Sequence, residues 1–380
     1  MCSSDLGQDR ALDLSVERVE VNTGSLELEF VARTEFPSLA AIVAESGGLA
    51  RKINCGGPAY RDYEADAELQ GNEPTVPAVT DFFEDWAVHE FGARAGARAG
   101  EIFAGLDGRV PRASDWIEGP GGIRPDARPW GEVSEQYGFV DEFEALRPRV
   151  EGAGARSRYD YWLSTFKYAR AMGRLNCTWG LLTNAMGRVR AVEGETARRL
   201  KATEEVLPLR RQLVSELGEV YEHLLATVSN PGELGTVANW EQHLLPDLVE
   251  EPGRELEELL GGPLPDDAQP AREYAGARRL VVPTVRTALR SGEPLRLRVL
   301  IPGEPQPRQA VLRWRWFGER KYREVALRRV ARAVYTAEVP PESFRGGDFE
   351  YHVKVVPERG GTLYFPATAP KRNQTVVMLE

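Results

Sequence analysis

The sequence predicts an α+β multidomain chain, a mainly helical bundle domain followed by an immunoglobulin-like β-sandwich. Three observations predict it. From Trp162 to Val189 apolar residues recur at steps of three and four, and they do so again from Leu213 to Val228, which is the helix period. From Arg278 to Glu380 the apolar residues come instead in short alternating runs, as strands require. Between the two patterns the chain is rich in Pro and Asp. The expected organisation is a strand-containing, irregular N-terminal remnant at 1–79, a helical domain at 80–263, a linker at 264–277 and the sandwich at 278–380.

In chain order, Val19 and Val21, then Leu26, Leu28 and Phe30, alternate with polar residues around Asn22-Thr-Gly24, a hairpin signal. The stretch 47–77 has weak periodicity and reads as irregular surface. A helix starts at Thr80, which can cap it, and Asp81, Glu84 and Asp85 suit its positive end. Phe82, Phe83, Trp86, Ala87 and Phe91 form its apolar side, and Gly92 ends it. A second helix runs through Ala99, Ile102, Phe103 and Leu106 to Asp107-Gly108. The stretch from Pro111 to Pro129 holds too much Gly and Pro for regular structure, and a loop of that length in a compact domain is often functional. The long helix follows, carrying Phe166, Ala169, Met172, Trp179, Leu182 and Met186, with Asn176 as a polar break. After a turn at Gly194 a second long helix carries Leu200 and Val206 and should kink or restart at Pro208. Two such helices with a short link pack antiparallel. Gly232 and Gly235 suggest an irregular segment before Asn239, and a last helix spans Glu255 to Leu260. The strand runs are 280–285, 295–300, 310–316, 335–339, 349–355 and 375–378.

Composition narrows the function classes. The 380 residues carry 48 basic against 58 acidic side chains, a net charge of −10, with 42% hydrophobic residues. Such a chain is a poor candidate for nucleic-acid binding. The basic run from Arg313 to Arg323 reads as a strand with arginines on its wet face. No apolar run approaches the length needed to span a bilayer. Cys2, Cys55 and Cys177 form no CxxC pair, and the four histidines are dispersed, so a structural zinc site is not expected. Cys177 reads as a buried helix thiol, with a Cys55–Cys177 disulfide as the alternative. Ser/His/Asp and Cys/His nucleophile arrangements lack local context, GxSxG being absent; no cofactor is expected, and no Lys-Ser/Thr follows Gly119–Gly122 as a phosphate loop needs. The opening Cys2-Ser-Ser-Asp-Leu6 back-translates as a common sequencing-adapter end, so the native start is expected upstream. A secreted or periplasmic location would follow if the full-length protein carried a signal peptide.

The run Asp81-Phe-Phe-Glu-Asp-Trp86 followed by Glu90-Phe-Gly92 resembles the helix after the last barrel strand in large bacterial glycoside hydrolases of the α-glucuronidase and hexosaminidase type. The segments Arg313-Trp-Arg-Trp-Phe-Gly318, Phe349-Glu-Tyr-His352 and Phe365-Pro-Ala-Thr-Ala-Pro370 are similar to the sandwich that closes many secreted hydrolases. The resemblance covers about residues 80 to 380. It implies a post-barrel helical domain with an accessory module, most of the catalytic barrel lying upstream, because no series of strand–helix units precedes Thr80. No residue here matches a family's catalytic pair.

The most informative tract, Arg158 to His243, carries aromatic rings beside amides and acids. That mixture suits a hydrated ligand with flat apolar faces, such as a sugar. Two runs stand out within it, Arg158-Tyr-Asp-Tyr-Trp162 leading to Asn176-Cys-Thr-Trp179, and Ser229-Asn-Pro-Gly-Glu233 leading to Asn239-Trp-Glu-Gln-His243. Asp115 and Trp116 in the Gly-rich loop, and Asn239, Trp240 and Glu241, are the candidate substrate-binding residues. Trp179 lies on the apolar stripe and reads as core. Glu118 is the candidate acid, because Gly119-Pro-Gly-Gly122 would let a ligand approach the backbone; a solvated loop glutamate is the plain alternative. The expected function is the C-terminal part of a carbohydrate-active hydrolase, with an oligosaccharide or polysaccharide as its ligand. The second reading is a non-catalytic glycan-binding or scaffold protein.

Overall fold

The computed structural model describes residues 41–46, 49–54, 61–62, 64–65, 79–116, 122–271, 274, 276–344 and 347–379. The chain divides into two compact units, Met1–Val76 and Pro77–Glu380. In the first, β1 (Ala41–Ser46) pairs antiparallel with β2 (Leu49–Asn54), Ala41 lying opposite Asn54, and β3 (Glu64–Ala65) runs parallel to β2. The hairpin expected around Asn22-Thr-Gly24 lies outside the described residues.

The second unit is a helical region followed by a β region with two sheets. It opens with α1 (Val79–Phe91) and α2 (Ala93–Leu106), hinged at Gly92, whose φ of 88° a side chain would resist. The two helices lie close because α2 presents glycines to α1. A Cβ on Gly96 would fall 2.3 Å from the Val88 backbone, and one on Gly100 2.5 Å from that of Glu84. The loop beyond is not wholly irregular: β4 (Asp115–Trp116) and β5 (Ile123–Arg124) form a two-residue antiparallel ladder within it. Composition alone did not show this pairing.

Next come α3 (Trp130–Val133), α4 (Gly138–Leu146) and the 38-residue α5 (Ala153–Arg190). At 1.5 Å per residue α5 is about 57 Å long and serves two cores. Tyr159, Leu163 and Phe166, on its first half, are buried with Phe91, Phe103, Val140 and Phe143. Leu175, Leu182, Met186 and Val189, on its second half, are buried with residues of the helices that follow. Those are α6 (Glu195–Lys201) and α7 (Leu207–Thr227), joined by a π-helical stretch at Ala202–Val206. Pro208 falls in the first turn of α7, where its missing N–H costs nothing, and the wide π turn before it absorbs the mismatch. Contacts between α5 and α7 run in opposite chain directions (Arg174 with Glu219, Thr178 with Gln212), so the pair is antiparallel.

The region ends with α8 (Pro231–Asn239), two further π-helical turns, and α9 (Glu251–Leu260). The expected irregularity at Gly232 and Gly235 is not found. Asn230 and Glu233 form a reciprocal capping box, and that cap outweighs the cost of two glycines. Arg210 on α7 is buried and donates to the carbonyls of Val249 (2.7 Å) and Ala268 (3.0 Å), tying the 264–268 stretch onto the helices.

Among the described residues nine strands follow: β6 (Ala288–Arg290), β7 (Leu295–Leu300), β8 (Gln309–Trp316), β9 (Arg323–Ala326), β10 (Arg328–Ala331), β11 (Val334–Val339), β12 (Phe349–Val356), β13 (Leu363–Phe365) and β14 (Gln374–Leu379). One sheet has the order β10-β11-β7. The other has β6-β14-β12-β8-β9, with β13 also on β12. Val281 makes only an isolated bridge to Leu300, so the expected 280–285 strand is not formed. Alternation sorts the side chains: Leu295, Leu297 and Val299 of one sheet share a core with Trp314, Phe349, Tyr351 and Val353 of the other. On the opposite face of β8, Arg313 pairs with Glu324 and Arg315 with Glu350, which is the wet-face reading of the basic run.

Candidate functional site

The residues singled out in the sequence fall in three places. Glu118 lies outside the described residues. Asp115 is exposed on β4 opposite Arg124, and Trp116 stands opposite Ile123. The descending arm of this loop is fastened to α5. The Asp126 amide donates to the Asn176 carbonyl at 3.3 Å. Gly180 allows this approach, since a Cβ there would sit 2.0 Å from the Asp126 carbonyl oxygen. Hydrogen bonding from Arg128 holds the Asp126 carboxyl below its ordinary range.

The second group, Asn239 to Glu241, closes α8. Asn239 is half-buried, and exposed Glu241 accepts from the Tyr221 hydroxyl at 3.1 Å. Trp240 corrects the sequence reading. Its side chain is 0% exposed, and its indole N–H donates to Tyr168 at 2.9 Å. A ring sealed in this way has no face to offer a sugar. It belongs to the apolar stripe Val237–Trp240–Leu244–Leu248 that packs on α5 and α7. Trp179 packs partly buried against the same core. Cys177 is a free, buried thiol, and burial pushes its pKa up to about 11; Cys55 lies outside the described residues.

The third place was marked in the sequence without being assigned residues. The fold brings the Arg158–Trp162 run beside Ser229–Glu233, and the Tyr161 hydroxyl donates to Glu233 Oε1 at 3.2 Å. Residues of the first run and Ser229 of the second, together with Glu90, Arg279–Val282 and Phe365, line a cleft of about 650 Å³. Its apolar faces come from half-buried Tyr161, Trp162 and Phe365. Trp162 is held edge-on by Phe103 at 5.0 Å and Trp86 at 5.9 Å, so its orientation is set by packing. Burial, followed by the Glu233 charge, raises the Tyr161 pKa.

Polar groups alternate with these rings. Arg158 forms an ion pair with Glu90 and donates to the Glu90 carbonyl at 2.8 Å. Asp160 accepts two bonds from Arg147, at 2.7 and 2.9 Å, and this raises the Arg147 pKa. Both carboxylates of the lining are therefore engaged by arginine. The Arg279 Nε is buried with no hydrogen-bond partner among the described residues. The cleft thus offers fixed ring faces, guanidinium donors and hydroxyls. Glu90, Arg279 and Phe365 carried no local signal as site residues, because the cleft exists only once segments from five parts of the chain meet. Tyr161 had one: it departs from the apolar stripe of α5 yet is a large ring.

Among the described residues no group of three or more His, Cys, Asp or Glu is placed to hold a metal ion, and no helix is long and apolar enough to cross a membrane. No family model matches the chain, and no curated protein matches it. Among solved structures, the crystal structure of an engineered protein is 12% identical over 33% of this chain and 27% of its own length, at a TM-score of 0.22. A likeness of that size bears on neither fold nor function.

Proposed function

We propose that the chain is the C-terminal, carbohydrate-contacting part of a bacterial glycoside hydrolase, with the cleft between its helical and β regions as a glycan-binding surface. The observation that supports it is the meeting of the two aromatic and polar runs at one cleft, where Tyr161, Trp162 and Phe365 stand among Arg158, Asp160 and Ser229. Sugars present C–H faces that pack on rings and hydroxyls that need both donors and acceptors, and this lining has each. In the same reading the two sheets form an immunoglobulin-like sandwich, an accessory module, and the domains divide at 80–263 and 278–380. Asp115 and Trp116 belong to a second contact with substrate near an upstream barrel, where paired carboxylates would flank the scissile bond.

The test is isothermal titration of the chain with a panel of plant and bacterial oligosaccharides. Saturable binding is expected for at least one, weakened about tenfold in Phe365→Ala and Arg158→Ala, equal to about 1.4 kcal/mol. Absence of binding across the panel, or binding indifferent to both substitutions, overturns the reading. The alternative, a non-catalytic scaffold that docks proteins, gains support if the same face instead retains a protein partner that neither oligosaccharide nor Phe365→Ala displaces.

A further inference from the structure

Charge is divided unequally along the chain. Residues 278–380 carry 20 basic against 10 acidic side chains, a net charge of +10, and residues 1–277 carry 28 against 48, a net charge of −20. The two sheets of the β region use this excess differently. On the larger sheet Arg313 and Arg315 of β8 project away from the shared core, and each meets a carboxylate, Glu324 and Glu350. On the smaller sheet, β10-β11-β7, Arg296 pairs with Glu338 at 3.1 Å. Arg298, Arg328, Arg329 and Arg332 are exposed there, and none lies within ion-pair distance of a carboxylate among the described residues.

The strand register gathers these cations. Buried Leu295, Leu297 and Val299 alternate with exposed Arg296 and Arg298 along β7, and buried Tyr335, Ala337 and Val339 alternate with Thr336 and Glu338 along β11. The second set of each strand therefore faces away from the core. Thr336 stands opposite Arg298 on one side and Arg328 on the other, and residues paired across strands share a face. Two strand spacings put the Arg298 and Arg328 backbones about 9.5 Å apart. Arg329 and Arg332 lie beside this row at the β10–β11 turn, where the Arg329 Nε donates to the Arg332 carbonyl at 2.6 Å. No aromatic ring projects from this face among the described residues, so it offers charge and no stacking surface. Cations gathered without counter-charge repel one another, and an oxyanion that accepts from a guanidinium fork relieves this. The spacing bears on which polyanion fits. Duplex DNA carries a charge every ~1.7 Å, far denser than this row, and would meet a chain of net charge −10. An acidic polysaccharide spaces its charges a sugar or more apart, which is closer to the row.

We propose that the outer face of the β10-β11-β7 sheet binds a linear acidic polysaccharide, at a place separate from the cleft. This rests on the glycan reading above and adds a class of polymer to it. The experiment is calorimetric titration of the whole chain with dextran sulfate, polygalacturonate and a DNA duplex of matched charge. Expected is saturable binding of at least one of the two polysaccharides, lost as salt rises from about 0.1 M to about 1 M and screening shortens. Arg298→Glu/Arg328→Glu should weaken it about tenfold or more, since like charges across an interface repel. Arg298→Gln/Arg328→Gln, which adds no carboxylate to the strands, should weaken it severalfold and serves should the first pair not fold. Lys371→Glu/Arg372→Glu makes the same charge change at exposed positions off this sheet and should leave binding nearly unchanged, as should Phe365→Ala in the cleft. No binding of either polysaccharide overturns the proposal, while the oligosaccharide titration of the cleft still decides the glycan reading by itself. Equal loss in the two charge-reversed pairs would show unspecific attraction, and loss in Phe365→Ala would move the binding to the cleft. Binding of the DNA duplex as tight as that of the polysaccharides would make the partner a nucleic acid. Each of these outcomes overturns the proposal as well.

Discussion

The Tyr161 hydroxyl on α5 donates to Glu233 at 3.2 Å, across 72 residues of chain. The other oxygen of that carboxylate accepts from the Ser229 hydroxyl at 2.7 Å and from the Asn230 amide at 3.1 Å. One side chain therefore caps α8, closes the α7–α8 turn and holds a cleft tyrosine. Glu233→Ala removes all of these acceptors and should cost about 1–2 kcal/mol, the range of a lost helix cap. Denaturant midpoints of Glu233→Ala, Tyr161→Phe and the double variant test it. A coupling of about 0.5 kcal/mol or more is expected for residues in direct contact, and strict additivity would show that the bond contributes nothing.

Trp240 sets a second expectation. Its ring is sealed in the core and its N–H has one partner, the Tyr168 hydroxyl. Trp240→Ala should cost about 3–5 kcal/mol, as large buried rings do. Tyr168→Phe, which leaves the indole N–H unpaired, should cost about 1–3 kcal/mol. Urea unfolding measures both. A neutral Trp240→Ala, combined with altered sugar binding, would restore the ring to a ligand-facing role.

Two glycines on α5 should respond in opposite directions. Gly180 lets the Asp126 backbone reach the helix, whereas a Cβ on Gly187 would meet nothing within 4 Å. Gly180→Ala is expected to force the 122–129 arm off α5, at about 1–3 kcal/mol. Gly187→Ala should stabilise by about 0.4–1 kcal/mol by restricting the unfolded chain. Thermal melting of the pair decides it, and destabilisation of equal size by both would count against the docking of the loop.

The helices and inner strand faces were legible because burial imposes a period. Phe166, Met172 and Leu182 mark α5, and Phe349, Tyr351 and Val353 mark β12. The first turns of α5 were not legible, since residues 156–158 face water and leave no stripe. Neither were β6, β9 and β10, because three or four residues are too few to establish alternation. Trp240 was misread because Asn239 and Glu241 point to other sides of the helix, while the ring itself follows the i, i+4 stripe with Leu244. The cleft was only half legible: a sequence shows that Tyr161 and Trp162 are unusual, but it gives no sign that Glu90 and Phe365 arrive beside them.

His352 gives the sharpest dependence on pH. Alternation along β12 turns it to the face opposite the shared core, across from Arg313. Tyr322 covers it edge-on at 4.9 Å, and it is 0% exposed. Neither ring nitrogen has a hydrogen-bond partner meeting normal geometry among the described residues. Burial first, then the Arg313 charge, bring its pKa down to about 4, against an opposing pull from Asn373. In the unfolded chain the value returns to about 6.5. Between these two values the unfolded state holds a proton that the folded state lacks, so stability falls as pH drops through the window. The slope is at most about 1.4 kcal/mol per pH unit, and above about pH 7 the contribution is flat. His352→Gln removes this titration and leaves every carboxylate, and the likewise depressed His223, in both proteins. Urea unfolding from pH 8 to pH 4 should therefore show the wild type losing stability relative to His352→Gln only below about pH 6.5. Parallel curves across the whole range would mean that His352 is protonated in the folded chain.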